Sequence, residues 1–291
     1  MLLKVGSRDS KLALIQTGIV IEELKKHYPD WEFEIVKVKT RGDKFLDSAL
    51  SEVGGKGLFV REIEDAMLCG DIDMAVHSMK DMPYEIPEGL CIATVTKRED
   101  PRDVFISVDG KKFADLKEGA RIGTSSLRRA VQLKDMRPDI EIVPLRGNVP
   151  TRIKKLRELN LAGIVLAAAG LKRLGMEDAI CEYFSPDVIV PAVGQGALAV
   201  EMRKEDERVP LIKCLDEPDT ADAVRAERAF MRVLGGSCKV PMGAYARIEG
   251  GILNLTGMIE RDGKVKKGNI SGKIFEAEEM GVKLAKELGD L

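Results

Sequence analysis

Leu2-Leu3-Lys4-Val5-Gly6-Ser7-Arg8-Asp9-Ser10 and its looser counterpart Ala120-Arg121-Ile122-Gly123-Thr124-Ser125-Ser126 decide how the chain is read. In each, an apolar run predicts a strand, over 2–5 and 120–122, and a Gly with Ser or Thr behind it predicts a turn. Helical periodicity follows both times. Leu12, Ile15, Ile19 and Leu24 mark a helix over 11–28, and a second helix over 127–136 stops before Pro138. Ser10 or Asp9 can cap the first helix, and Pro29 stands just beyond its end. Ala13-x-x-Gln16 and Ala130-x-Gln132 extend the parallel, with a gap. Strand, turn and capped helix, twice over, predict two similar α/β lobes.

Working outward, residues 33–39 read as a second strand. Residues 40–56 carry Gly42, Gly54 and Gly55 with little periodicity. They read as a mobile lid bearing Arg41, Lys44 and Lys56, or equally as a surface loop. Gly54-Gly55-Lys56-Gly57 lacks the spacer and the following Ser or Thr of a phosphate-binding loop. A helix over 58–69 and a buried strand over 72–76 lead to His77-Ser78-Met79-Lys80-Asp81-Met82-Pro83, where Pro83 forbids helix. An imidazole, a hydroxyl, an ammonium and a carboxylate thus meet at a strand end, the place where open α/β sheets bind ligands. Asp81 is the candidate for chemistry and Lys80 for holding an anion. His77 reads either as a catalyst or as a satisfied buried side chain.

A strand over 90–96 precedes the charged run 97–103, which reads as a hinge or linker. Past 120–136, a strand over 141–145 leads to Arg146-Gly147-Asn148 and a helix over 151–159. A strand over 163–167 then leads to the turn 170–175. Pro191-Ala192-Val193-Gly194-Gln195-Gly196-Ala197 contains a formal G-x-G-x-x-A, but no strand feeds it and 197–202 reads as strand. That excludes a dinucleotide fingerprint and suits a chain returning to the first lobe. A helix over 220–234, the loop 235–241, strands over 244–248, 252–259 and 264–270, and a helix over 275–288 complete a small third domain. The expected division is 1–97 with 194–216, then 102–190, then 219–291. The expected fold is two similar hinged lobes of the periplasmic-binding-protein type with a small C-terminal α+β domain.

The chain of 291 residues is long for one core. Charged residues make up 32% and aromatics 4%, with a net charge of −2, so the basic excess and stacking aromatics of a nucleic-acid binder are missing. An anionic ligand must be met by local clusters of Arg and Lys. The five cysteines are far apart with no Cys-x-x-Cys, which argues against a disulfide framework and against a zinc site. No run approaches a membrane span. With no signal peptide read at Met1, the expectation is a reduced, cytoplasmic protein.

Basic residues recur where anions dock: Arg8, Lys80, Arg128, Arg129, Arg146, Arg152 and Arg173. Arg128 and Arg129 fall in a first helical turn, the end where the helix dipole disfavours cations, unless a bound anion offsets the cost. Guanidinium forks suit carboxylates. Cys69, Cys91, Cys181 and Cys214 lie beside apolar residues and read as core. Cys238 lies in a Gly-Gly-Ser loop next to Lys239, where access and a nearby cation favour thiolate.

Taken together, Val76-His77-Ser78-Met79-Lys80-Asp81, Gly123-Thr124-Ser125-Ser126-Leu127-Arg128-Arg129, Leu145-Arg146-Gly147-Asn148, the Gly-x-Cys-x-Val-Pro loop, Val53-Gly54-Gly55-Lys56-Gly57-Leu58-Phe59 and residues 191–197 resemble the porphobilinogen deaminase (hydroxymethylbilane synthase) family. The resemblance runs from about residue 3 to the end, in motif order. It implies a dipyrromethane cofactor joined by a thioether to Cys238, with Asp81 as the catalytic carboxylate assisted by Lys80 and Arg8. It implies cofactor contacts from Ser78, Lys80, Asp81, Thr124, Ser126, Arg128, Arg129, Arg146 and Gly147. Substrate contacts fall on Arg8, Ser10, Arg146, Arg152, Arg173 and Gln195, lid residues on Lys56 and Phe59, and no metal is implied. Porphobilinogen is the implied substrate: four units are added to the primer with loss of ammonia, and hydrolysis frees hydroxymethylbilane. A monomer without nucleic-acid or membrane partners is expected. Two departures stand out: Gly235-Gly236-Ser237-Cys238 replaces the family's Glu-Gly-Gly-Cys, and Glu52 stands where some relatives carry a base. The alternative from the residues alone is a non-catalytic two-lobed anion-binding or sensor protein, which gives Asp81 and Cys238 no task.

Overall fold

A computed structural model describes residues 1–40, 60–236 and 240–290. The expected lid with Lys56 and Phe59 (Thr40 apart) and Cys238, the expected attachment residue, lie outside the described residues. The described chain falls into two compact units, Met1–Glu99 with Ala197–Ala221, and Asp100–Gly196 with Asp222–Leu291.

In the first unit, β1 (Leu2–Arg8) alternates exposed Leu2 and Lys4 with buried Leu3 and Val5, then stays buried through Gly6 and Ser7. The strand therefore runs three residues beyond the expected Val5, and Arg8 is its last residue rather than part of a turn. Ser10 caps α1 (Lys11–His27), its hydroxyl accepting from the Ala13 amide at 3.3 Å. β2 (Glu32–Val38), α2 (Arg61–Leu68), β3 (Met74–Ser78) and β4 (Leu90–Val95) follow. β3 continues two residues past the expected Val76, so His77 and Ser78 are strand residues. β10 (Leu198–Arg203) returns from the far side of the sequence, as expected, and lies antiparallel between β3 and β4. The sheet order is β2-β1-β3-β10-β4.

The second unit repeats that order. β5 (Asp103–Ser107), β6 (Arg121–Gly123), β7 (Glu141–Val143), β8 (Gly163–Ala167) and β9 (Glu182–Tyr183) form the sheet β7-β6-β8-β5-β9. As in the first sheet, three parallel strands are joined to two through an antiparallel strand. Ser126 caps α3 (Leu127–Met136) and Asn148 caps α4 (Val149–Glu158). Two expectations fail here. Asp103 opens β5 instead of ending a linker, because Val104, Phe105 and Ile106 form a fully buried strand behind it. Residues expected as the turn 170–175 instead lie largely in α5 (Ala168–Arg173), which carries Arg173 at its end.

The same unit contains a separate antiparallel sheet of β11 (Met242–Glu249), β12 (Ile252–Arg261) and β13 (Lys264–Lys273). Phe230 of α7 (Pro218–Val233) and Leu284 of α8 (Ala277–Gly289) pack on its Leu253 and Leu255. Two mixed α/β lobes with one strand order, and a small C-terminal three-stranded domain, are what the repeat and the third segment predict.

The four cysteines expected in the core are not there. Cys69 and Cys214 are exposed, and Cys91 and Cys181 only partly buried. Cys69 closes α2 and Cys214 sits in the turn Lys213–Leu215, so apolar neighbours along the chain do not share their direction in space.

Candidate active site

In the first unit, the sequence Met79-Lys80-Asp81-Met82 works as two pegs and two presented groups. Met79 and Met82 are buried, while Lys80 and Asp81 between them are exposed. The Met82 amide donates to the Met79 carbonyl at 3.1 Å, closing a single 3-10 turn, and the Met79 amide donates to the Ala197 carbonyl beside β10. Pro83 follows and ends regular structure.

The turn opens onto a small concavity of about 60 Å³. Arg8, Ser10, Ser78 and Asp81, all expected site residues, line it together with the side of α1. Gln16 lines it too, its Nε2 donating to Ser78 Oγ at 2.9 Å. Gln16 was not singled out as a site residue. The signal was available: Ser10, Ala13 and Gln16 recur every three residues and so share one face of the helix start. Leu12, Ala13, Val60 and Val76 add an apolar wall. Such a wall with a few convergent polar groups is how small-molecule sites are built.

In the second unit the expected residues divide into two groups. The first is a buried network around Asp103. Arg128 Nη1 donates to its Oδ2 at 2.6 Å and Arg129 Nη2 to its Oδ1 at 2.7 Å, with Asp103 fully buried and both arginines 6% exposed. Burial alone would raise the carboxyl's pKa. The two guanidiniums outweigh it and hold Asp103 well below the usual carboxylate range. The anion that the sequence reading required beside Arg128 and Arg129 is therefore met inside the chain. Gln195, expected at the substrate, is 1% exposed and donates to Asp103 Oδ1 at 2.9 Å and to the Pro101 carbonyl at 2.6 Å. Packing explains the tightness: a Cβ on Gly243 would come within 2.8 Å of the Val190 carbonyl, to which Arg128 Nη1 also donates.

The second group surrounds the start of α4. Arg146 and Arg152 are half-buried, and Arg152 Nε donates to the Gly147 carbonyl at 2.7 Å. Gly147 adopts φ +116, and a Cβ there would meet Thr151 Cγ2 at 2.7 Å, so this turn requires glycine. Ser125 ties the segment to the α3 cap, its Oγ receiving from the Leu145 amide at 2.9 Å. Thr124 is buried and its Oγ1 receives from the Ser126 amide, which orders the cap rather than a ligand. Arg173 Nη2 donates to the Gly196 carbonyl at 2.7 Å, next in the chain to Gln195.

No group of His, Cys, Asp and Glu among the described residues could hold a metal, and no described helix is long and apolar enough to cross a membrane. The described site groups are cationic and hydroxylic donors, one exposed carboxylate and an apolar wall. Such a set of groups is chemically suited to a small polyanion and to positive charge beside it.

Comparison with known proteins agrees with this chemistry. Residues 3–210 match the family model "Porphobilinogen deaminase, dipyromethane cofactor binding domain", and residues 221–290 match "Porphobilinogen deaminase, C-terminal domain". Porphobilinogen deaminase of Geotalea uraniireducens is 55% identical over 98% of this chain and 91% of its own length. The enzyme of Geobacter sulfurreducens is 54% identical with the same coverage, and that of Carboxydothermus hydrogenoformans 53% identical over 98% and 92%. Among solved structures, the methionine binding protein MetQ is 15% identical with a TM-score of 0.44, covering 72% of this chain and 88% of its own. By the two family models and by identity along nearly all of its length, the chain belongs to the porphobilinogen deaminase family.

Proposed function

We infer that the chain is a hydroxymethylbilane synthase, a transferase of tetrapyrrole biosynthesis. It joins four porphobilinogen molecules head to tail on a covalent dipyrromethane primer, releasing ammonia at each step, and hydrolysis then frees hydroxymethylbilane. The primer supplies the pyrrole α-carbon to which substrate is joined. Its rings carry acetate and propionate groups, and the donor set fits them: Arg8, Lys80, Arg146 and Arg152 stand at strand and helix ends with the hydroxyls of Ser10, Ser78 and Ser126.

The observation that carries the reading is the sharing of one concavity by Asp81, Arg8 and Ser10. Arg8 and Ser10 bind substrate carboxylate and fix its orientation. Asp81 presents its carboxylate to the positive charge that grows on the pyrrole as ammonia leaves, and accepts the proton lost from the primer's attacking α-carbon once the new carbon–carbon bond has formed. Lys80, next on the turn, holds a carboxylate alongside. Arg146, Arg152 and the Gly147 turn bind further acetate and propionate groups, with Arg173 at the end of α5. Arg128 and Arg129 contribute hydrogen bonds from N–H groups that Asp103 leaves over rather than net charge. Thr124 and Gln195 act by ordering these groups.

Attachment is assigned to Cys238. In support, burial pushes the thiol of half-buried Cys91 up, away from the thiolate a nucleophile needs. The protein works as a cytoplasmic monomer without nucleic-acid partners on this reading. The test is intact mass of the denatured protein alongside ammonia release from porphobilinogen. An added dipyrrole mass, abolished by Cys238→Ser, is expected. An active enzyme of unmodified mass rejects the attachment, and absence of ammonia release rejects the transferase.

A further inference from the structure

The strand that leads into the Asp81 turn carries polar side chains on both of its faces: Ser78 hydrogen-bonds with Gln16 on one, and His77, which also borders the concavity, lies on the other. Along β3, Met74 and Val76 pack with Val20 and Leu24 of α1, and Ser78 on that face pairs with Gln16. Ala75 packs on the opposite face with Ile63 and Met67 of α2. By the two-residue period of a strand, His77 faces α2 as well.

There His77 meets two buried carboxyls. In the antiparallel register Ala199 opposes His77 and Glu201 opposes Ala75, which makes Glu201 the diagonal neighbour of His77 on one face. His77 Nε2 lies 3.1 Å from Glu201 Oε2, with the side chains 4% and 0% exposed. Glu64 of α2 is buried beside them. Yet the His77 Nε2 contact is off hydrogen-bond direction, and neither Glu201 oxygen nor Glu64 Oε1 has a hydrogen-bond partner among the described residues. Such a cluster is expensive to bury and contributes little to stability when replaced by apolar groups of the same size. What it supplies is a fixed register. Ser78 opposes Leu198 and the Met79 amide bonds to Ala197, so the place of the 79–81 turn is set by how β3 lies on β10.

We propose that His77 and Glu201 are positioning residues for Asp81: their buried pair pins the end of β3 to β10 and thereby fixes the turn that presents the carboxylate. Glu64 is the third member, and its neighbours set its state. Burial first, then the charges of Glu201 and Asp65, push Glu64 up to about 7 against the opposing pull of Arg61, and Cys91 of β4 also lies in the field of Glu201. Below that pH the pocket holds one negative charge fewer, and His77 faces Glu201 without competition from Glu64.

The inference rests on Asp81 being the catalytic carboxylate, so Asp81→Ala is measured in parallel with His77→Ala, Glu201→Ala, their double mutant and Glu201→Gln, all as primer-loaded protein. For His77→Ala and Glu201→Ala, kcat falls by about tenfold or more with KM within about twofold, and the double mutant is no worse than the poorer single. Glu201→Gln, which keeps length and an acceptor, recovers most of kcat. Normal kcat in folded His77→Ala, or additive losses in the double mutant, overturns the positioning role. Normal turnover in Asp81→Ala instead overturns the assignment of Asp81 itself. Should His77→Ala fail to fold, hydrogen exchange at the Met82 amide in Glu201→Ala decides: faster exchange than in wild type supports the pinning, and unchanged exchange overturns it.

Discussion

Asp103 and Arg128 form a salt bridge of 2.6 Å in which the carboxylate is wholly buried. With Arg129 on the other oxygen, one negative charge stands against two positive ones at the first turn of α3. Asp103→Asn leaves two buried guanidiniums without an anion. The expected loss is about 3–5 kcal/mol. Thermal or urea unfolding checks it, and a change within about 0.5 kcal/mol, the size seen at ordinary surface sites, counts against the pair. The sign with pH follows from the depressed carboxyl. In wild type the contribution is complete above the unfolded pKa near 4 and is lost as pH falls towards the folded value. The variant lacks that acid-side slope.

Gly147→Ala tests the anion turn before α4. A Cβ at φ +116 collides with Thr151, so about 1–3 kcal/mol of strain is expected. Because Arg152 Nε is bonded to the Gly147 carbonyl, the variant also raises KM for porphobilinogen. Unchanged stability and KM together would remove Gly147 from the site.

Glu64→Gln is expected to stabilise the protein, but only on the alkaline side. Its carboxyl is raised from 4.5 to about 7, so the protonated form favours folding. That contribution is complete below about pH 4.5 and is lost as pH rises through 7. Gln keeps the neutral shape at every pH. The variant matches wild type near pH 4.5 and exceeds it by about 1–3 kcal/mol at pH 8. Urea midpoints at the two pH values provide the check, and parallel midpoints across the range would refute the shift.

What the sequence made legible was local. The cap of α1, Ser10 or Asp9, is read within three residues of its amide, and the structure has it at Ser10, as Ser126 and Asn148 cap α3 and α4. The strand that returns at 198–203 was legible because a run such as Leu198-Ala199-Val200 has no helical partner spacing. Asp103 was not legible. It ends a run of seven mostly charged residues, and its partners stand 25 and 26 positions away, so only the fold distinguishes it from Asp100 or Glu99. The arginines at 128 and 129 announced a missing anion correctly, but one sequence does not say whether that anion is a ligand or an aspartate. The cysteines misled because burial depends on where a side chain points in space, not on its neighbours along the chain. His77 stayed open for a related reason: reading β3 two residues longer places it on the face opposite Ser78, away from the hydroxyl it precedes.

The position of β10 has a consequence for synthesis. The second lobe draws all five of its strands from one continuous stretch, 103–183, and can close its sheet as soon as that stretch has emerged from the ribosome. The first lobe cannot. β4 pairs only with β10, and β10 is the strand that bonds β3 beside the Asp81 turn, so an emerging chain holds residues 1–95 with a gap in the sheet for another hundred residues. At about 5–20 residues per second that is a wait of roughly 5–20 s with an open hydrophobic edge. The lobe made first is finished last, and the strand that finishes it brings Glu201 to His77.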